Sequence, residues 1–114
     1  MTGGASIVTI QERVDDVGHH VSLSGRLDVR SVPDLRGPMH RLVASGRSTI
    51  LVDLAGAEIG DATGFGFLVE SMLRARRHDR RLVVVDADDR TRRLIRRARL
   101  DHLLGQVPAG LATS

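Results

Sequence analysis

The sequence has no cysteine, lysine, tryptophan or tyrosine, and only two phenylalanines. Without cysteine there is neither a disulfide nor a thiolate metal site. Without lysine there is no phosphate loop of the Gly-Lys-Ser/Thr kind. With so few aromatic rings, nucleic-acid bases find almost nothing to stack on, so no direct nucleic-acid partner is expected. No apolar run reaches the roughly 18 residues of a spanning helix, so membrane insertion is not expected either. The start, Met1-Thr2-Gly3-Gly4, lacks a basic segment followed by an apolar core. A secretory signal is therefore not expected, and a cytoplasmic location is the default.

What is present is one domain's worth of chain, 114 residues, long enough to bury a core without staples. All 17 basic residues are arginine, which lifts the isoelectric point to about 11.1 at a net charge of only +3. They cluster over 74–81 and again over 90–99, a pattern that reads first as two solvated helix faces. Five histidines are scattered with no His-x-His or His-x-x-x-His pair, so no metal is expected. There is no Gly-x-Ser-x-Gly elbow, and Gly64-x-Gly66 lacks the third glycine of a dinucleotide fingerprint. Neither catalysis nor a cofactor is indicated.

Residues 6–14 and 20–27 alternate apolar and polar around Asp15-Asp16-Val17-Gly18, which predicts an antiparallel hairpin. Ser31 is placed as an N-cap with Asp34 three residues on. Leu35, Met39, Leu42 and Val43 then fall at helical spacing up to Ala44-Ser45-Gly46. Gly37-Pro38 predicts a kink, or a helix that begins near Pro38. Thr49–Leu54 and Leu82–Val85 are apolar on consecutive positions, as in parallel strands covered on both faces. Between them a helix over about 62–78 is predicted to bury Phe65, Leu68, Val69, Met72 and Leu73 and to leave Phe67 exposed. Asp88–Ala98 is a third helix, and Leu103-Leu104 with Gln106-Val107 a last short strand. The expected fold is α/β: a hairpin joined to a mostly parallel sheet of four to five strands with helices packed on it. Residues 1–5 are expected to be a flexible N-terminus, 6–107 the domain, and 108–114 a tail.

Two acidic loops stand out. Asp28 ends the second strand, and Asp61 opens the segment Asp61-Ala62-Thr63-Gly64-Phe65-Gly66-Phe67. In a parallel sheet both fall at the strand C-termini, the edge where such sheets carry functional loops. A helix start there can receive an anion or a partner's loop. Asp28 as a plain turn or cap residue is the competing reading. Gly64 and Gly66 read either as a relaxed helix start or as a bare surface for a partner's backbone. On the second reading, Gly64→Val weakens binding without changing the far-UV CD spectrum.

Gly25-Arg26-Leu27-Asp28, Leu51-Val52-Asp53-Leu54 and Asp61-Ala62-Thr63-Gly64-Phe65-Gly66, at these spacings, resemble the STAS-domain family of anti-sigma-factor antagonists. The resemblance runs from about Ile7 to Val107. It implies a non-enzymatic switch that binds an anti-sigma factor with a histidine-kinase-like ATPase fold and so releases a sigma factor. In that family the kinase phosphorylates a hydroxyl just after the loop Asp, and a phosphatase reverses the step. The resemblance assigns the partner surface to Asp28, Asp61, Ala62, Thr63 and Gly64, and an exposed Phe67 joins them. The usual phospho-acceptor position is Ala62 here, which leaves Thr63 as the remaining hydroxyl. One position along a helical turn redirects a side chain by roughly 100°, which favours a constitutive binder over a relocated phosphosite. Arg26, Gly60 and Arg99 depart from the family pattern, and its final helix has no counterpart. The rival expectation is a STAS scaffold subunit of a stress-signalling or lipid-transport ATPase assembly. Oligomeric state is left open.

Overall fold

A computed structural model describes residues 7–105. The expected termini, 1–5 and 108–114, and the Gln106-Val107 half of the last strand lie outside these residues. In chain order the elements are β1 (Thr9–Val14), β2 (His19–Leu27), α1 (Val32–Ala44), β3 (Ile50–Ile59), α2 (Ala62–Arg77), β4 (Leu82–Val85) and α3 (Asp89–Arg97). A 3₁₀ turn over Asp101–Leu103 follows, and Leu104 makes a lone parallel bridge with Val84. The sheet order is β1-β2-β3-β4, with β1 antiparallel to β2 and the other pairs parallel. This is the expected α/β architecture with four strands.

The hairpin is set by Asp15. Its Oδ1 accepts the Val17 N–H at 2.9 Å and the Gly18 N–H at 3.2 Å, and its carboxylate also takes His20 Nε2 and Arg13. Partial desolvation pulls this carboxyl upward, but the four hydrogen bonds outweigh it and hold the group well below the usual carboxylate range. At Gly25, φ is 105°, and a Cβ there would lie 2.4 Å from the Ile7 carbonyl oxygen. Only glycine lets the residues just before β1 lie so close.

β3 runs five residues past its expected end at Leu54. The register steps from Ser22↔Asp53 to Ser24↔Gly56, so β3 carries one extra residue, and Asp53 Oδ1 accepts the Ala55 N–H at 2.8 Å. Beyond this bulge β3 pairs only with β2, because β4 has ended, so its residues are largely exposed and only the small Ala57 and the terminal Ile59 reach the core, too weak an alternation to extend the run at Thr49–Leu54.

α1 begins at Val32, not near Pro38, and Pro38 lies inside it. An interior proline costs about 3 kcal/mol. Burial of Val32, Leu35, Met39, Leu42 and Val43, at about 1.5–3 kcal/mol each, outweighs it. Ser31 is the N-cap by position but makes no side-chain cap bond. Its Oγ donates to the Arg26 carbonyl at 2.6 Å and accepts the Asp28 N–H at 3.0 Å. Asp28 orders the turn before the helix: its Oδ1 accepts the N–H groups of Arg30 (2.9 Å) and Ser31 (3.1 Å), and its main-chain carbonyl accepts the Val32 N–H at 2.9 Å.

All three helices pack on one face of the sheet. There Val21, Leu23, Ile50, Val52, Leu54, Leu82 and Val84 meet Leu35, Met39, Phe67, Leu68, Met72 and Ile95. The other face holds a separate small cluster, Leu51, Val83 and Val85 with Val17, to which no helix contributes. The arginine clusters are not wholly solvated. Arg80 is 2% exposed and donates to the carbonyls of Leu42 (3.0 Å), Val43 (2.8 Å) and Ser48 (2.9 Å). Its remaining nitrogen faces His19 Nδ1 at 3.3 Å. A guanidinium only donates, so Nδ1 accepts and His19 Nε2–H reaches Glu12 at 2.9 Å. Burial pulls the Arg80 guanidinium below its ordinary pKa. Arg90 likewise reaches the Ile59 carbonyl.

Candidate functional site

The C-terminal ends of β2 and β3 bring Asp28 and Asp61 into one connected surface. Asp61 caps α2: its Oδ1 accepts the Gly64 N–H at 2.9 Å, and its Oδ2 accepts the N–H of Val29, the residue after Asp28, at 3.0 Å. One carboxylate therefore starts a helix and ties down the neighbouring loop. Arg26 completes the tie, with Nε 3.3 Å from Asp28 Oδ2, Nη1 3.5 Å from Glu58 and Nη2 donating to the Gly60 carbonyl at 3.2 Å. Hydrogen bonds from the Gly64 and Val29 N–H groups hold the Asp61 carboxyl below the usual range. The Thr63 N–H and the Arg26 charge assist, against a smaller opposing desolvation.

The exposure pattern decides which residues a partner can touch. Ala62 and Gly66 are exposed, Thr63 and Phe65 half-buried, and Gly64 buried. Phe67 is 1% exposed and belongs to the core, so the expectation of an exposed Phe67 in the contact surface is corrected. The reason is Gly64. A Cβ there would lie 1.9 Å from the Leu27 carbonyl oxygen, so this position must face β2. That fixes the helical phase at Gly64, Phe67, Leu68, Ser71, Met72 and Ala75, and turns Leu73 outward at 43% exposure. The close backbone approach at Gly64 is therefore made by the protein's own strand rather than a partner, and Gly64→Val is expected to damage the fold. Gly66 has nothing within 4 Å of a Cβ and is the bare glycine of the surface.

One residue of this surface had no sequence signal beyond its position. Val29 is 62% exposed, directly beside Asp61, and supplies the outward apolar side chain expected of Phe67. It follows Asp28 in the turn between β2 and α1, outside any apolar alternation, so only that position marked it. Arg26 and Glu58, read as minor departures or not at all, form the polar rim. Among the described residues no group of three His, Cys, Asp or Glu is placed to hold a metal, and no helix is long and apolar enough to cross a membrane.

Residues 10–105 match a family model described as "Mlab, STAS domain". The chain belongs to the STAS-domain family. Among curated relatives, the anti-sigma-B factor antagonist of Staphylococcus aureus (strain NCTC 8325 / PS 47) is 28% identical over 97 residues, covering 85% of this chain and 90% of the relative. A crystal structure of an anti-sigma factor antagonist from Mycobacterium paratuberculosis superposes with a TM-score of 0.72 at 26% identity, over 90% of this STAS domain and 86% of that chain. The phosphorylated form of the Bacillus cell fate determinant SpoIIAA superposes with a TM-score of 0.71 over 92% of this chain and 96% of that one. At 16% identity, that likeness speaks for the fold alone.

Proposed function

We propose that this STAS domain is an anti-sigma-factor antagonist, acting in the cytoplasm by binding an anti-sigma factor and so freeing a sigma factor. The observation that carries the reading is the single surface made when Asp61 caps α2 and simultaneously holds the Asp28 loop through Val29. Its contact residues are Val29, Asp61, Ala62, Thr63 and Gly66, while Asp28, 9% exposed, lies beneath them and holds the turn that carries Val29. The anti-sigma factor is of the kind with a histidine-kinase-like ATPase fold, as the resemblance implies, and the chain itself performs no catalysis. Ala62 occupies the exposed first position of α2, where a hydroxyl would meet a kinase, and Ala cannot accept a phosphoryl group. Thr63 is half-buried one position on. The antagonist is therefore constitutive: it lacks the added charge of about −1.5 to −2 that phosphorylation would bring to the interface.

The test is affinity capture of the tagged protein from its native lysate, followed by mass spectrometry of the partner and of the Asp61–Arg74 peptide. Recovery of a small ATPase-fold anti-sigma factor, with Thr63 unmodified after incubation with ATP, is the expected outcome. A phosphate on Thr63 sinks the constitutive reading but leaves the antagonist. The missing hydroxyl at Ala62 also favours a second reading, a STAS scaffold subunit of a stress-signalling or lipid-transport ATPase assembly. There the same surface holds a permanent partner, and the complex is stoichiometric and insensitive to ATP.

A further inference from the structure

The two edges of the sheet differ. β4, at one edge, is a strand of four buried residues, and the chain itself covers it: Leu104 bridges to Val84, and the Gly105 N–H donates to the Val84 carbonyl at 3.0 Å. β1, at the other edge, runs six residues in unbroken register with β2, with no proline and no bulge to blunt it. All of β1 except Ile10 is exposed, and among the described residues nothing pairs with its outer side.

The hairpin decides which groups that edge presents. The His19 N–H donates to the Thr49 carbonyl at 2.8 Å, toward β3, so His19 makes no ladder bonds with Val14 opposite it. One residue on, the Asp15 N–H turns inward to the Gly18 carbonyl at 3.0 Å. Main-chain groups alternate sides along a strand, so the N–H and C=O of Val14, Glu12, Ile10 and Val8 point out of the sheet edge. Unpaired strand groups of this kind recruit another strand.

We propose that this edge pairs with β1 of a second copy, antiparallel about a two-fold axis at Gln11. In that register Gln11 faces its own counterpart, Thr9 faces Arg13, Ile10 faces Glu12 and Val8 faces Val14. Every outward group from Val8 to Val14 is then paired, in about eight main-chain hydrogen bonds, and no like charges stand opposite each other. Val14, 67% exposed in the single chain, is covered by the Val8 side chain. An axis at Glu12 sets that carboxylate against itself, and an axis at Ile10 carries Val14 beyond Ile7 of the other copy. The contact is small, about seven residues a side against the roughly 20–30 of a standard interface, so the dimer is a weak one. It is also closed, because the two-fold axis consumes both β1 edges and the β4 edges are already covered.

Sedimentation of the full chain from about 10 μM to about 1 mM, the range of a weak contact, tests this with Gln11→Glu and Gln11→Lys beside the parent. Gln11 is exposed, so neither substitution disturbs the core. The parent is expected to move from monomer toward dimer over that range. Each variant alone sets like charges across the axis and dimerises up to about fivefold more weakly, while their equimolar mixture recovers the parent's affinity. In the methyl-labelled parent, a nuclear Overhauser contact between Val8 and Val14 is expected at the high concentration. Six strand steps hold these residues about 20 Å apart within one copy, so the contact arises only between copies. A protein that stays monomeric throughout overturns the proposal. So does a dimer that lacks the Val8–Val14 contact or whose affinity ignores the charge at Gln11, since it would use another face. No residue of the Asp28–Asp61 surface lies on β1, so these outcomes are independent of the partner reading.

Discussion

At the loop edge of the sheet two carboxylates, Asp61 and Asp88, accept N–H groups in the first turns of α2 and α3, and a third, Asp28, holds the turn that leads into α1. At the opposite end one guanidinium, Arg80, donates to the carbonyls that finish α1. Both ends satisfy the groups that a helix terminus leaves unpaired. They differ in what remains accessible. Arg80 is enclosed, and four of its five N–H donors go to Leu42, Val43, Ser48 and His19. Around Asp61 the carboxylate likewise holds the Gly64 and Val29 N–H groups, but Val29, Ala62 and Gly66 stay exposed beside it. The same chemistry closes one end and leaves the other a firm, unoccupied platform, which is what a docking surface requires.

Breaking the closed end should have the largest effect. Arg80→Ala strands buried carbonyls and is expected to cost about 3–5 kcal/mol in urea denaturation. Arg80→Lys should recover part of that, since an ammonium reaches fewer of the carbonyls. A loss under 1 kcal/mol for the alanine variant would show that water replaces the guanidinium. Next comes Gly64→Ala, which drives a methyl into the Leu27 carbonyl. Overpacking of this kind costs about 1–3 kcal/mol, and unlike a surface change it should alter the near-native spectra of α2. Unchanged stability would return Gly64 to the open surface.

These two residues also mark where the sequence stopped being legible. Strand and helix order could be read because apolar periodicity switches between two and 3.6 residues, and the pairing of Asp28 with Asp61 followed from parallel topology alone. The phase of α2 could not, because Phe65, Phe67, Leu68, Val69, Met72 and Leu73 offer two apolar stripes about 100° apart. What chooses between them is a contact between Gly64 and a backbone oxygen 37 positions earlier. Arg80 looked like one more solvated arginine, since no local pattern marks a side chain that caps a helix ending at Ala44. Ser31 had the right type and place for a cap, but its hydroxyl is turned back to the Arg26 carbonyl, and Asp28 holds the turn ahead of the helix from three residues upstream.

Asp61 and Asp88 separate capping from docking with a smaller effect. Both carboxyls are held below the usual value near 3.9, Asp61 chiefly by the Gly64 N–H and Asp88 chiefly by the Thr91 N–H. A depressed folded pKa adds stability that is present above about pH 4 and lost as pH falls through the folded value. Asp61→Asn and Asp88→Asn should therefore both be less stable than the parent at pH 7, and the gap should close as the pH is lowered toward 3. Only Asp61→Asn should also weaken binding of the proposed partner, because its amide would set a donor against the Val29 N–H and loosen the platform. Equal loss of binding in both variants would mean that stability, not the surface, controls the complex.

The smallest change is the sharpest. Gly66 lies in the first turns of α2 with open space where a Cβ would go, so Gly66→Ala adds no clash and removes the backbone entropy that glycine loses on folding. The variant is expected to be about 0.5–1 kcal/mol more stable, visible as a higher melting temperature. If the platform receives a partner's backbone at this bare position, the same methyl should lower affinity for the anti-sigma factor several-fold, measured by calorimetry on the purified pair. Stability and binding would then move in opposite directions at one residue, which no account of Gly66 as a mere helix-start relaxation produces. A stabilised protein with unchanged affinity would move the contact toward Val29 and Ala62 and take Gly66 out of the interface.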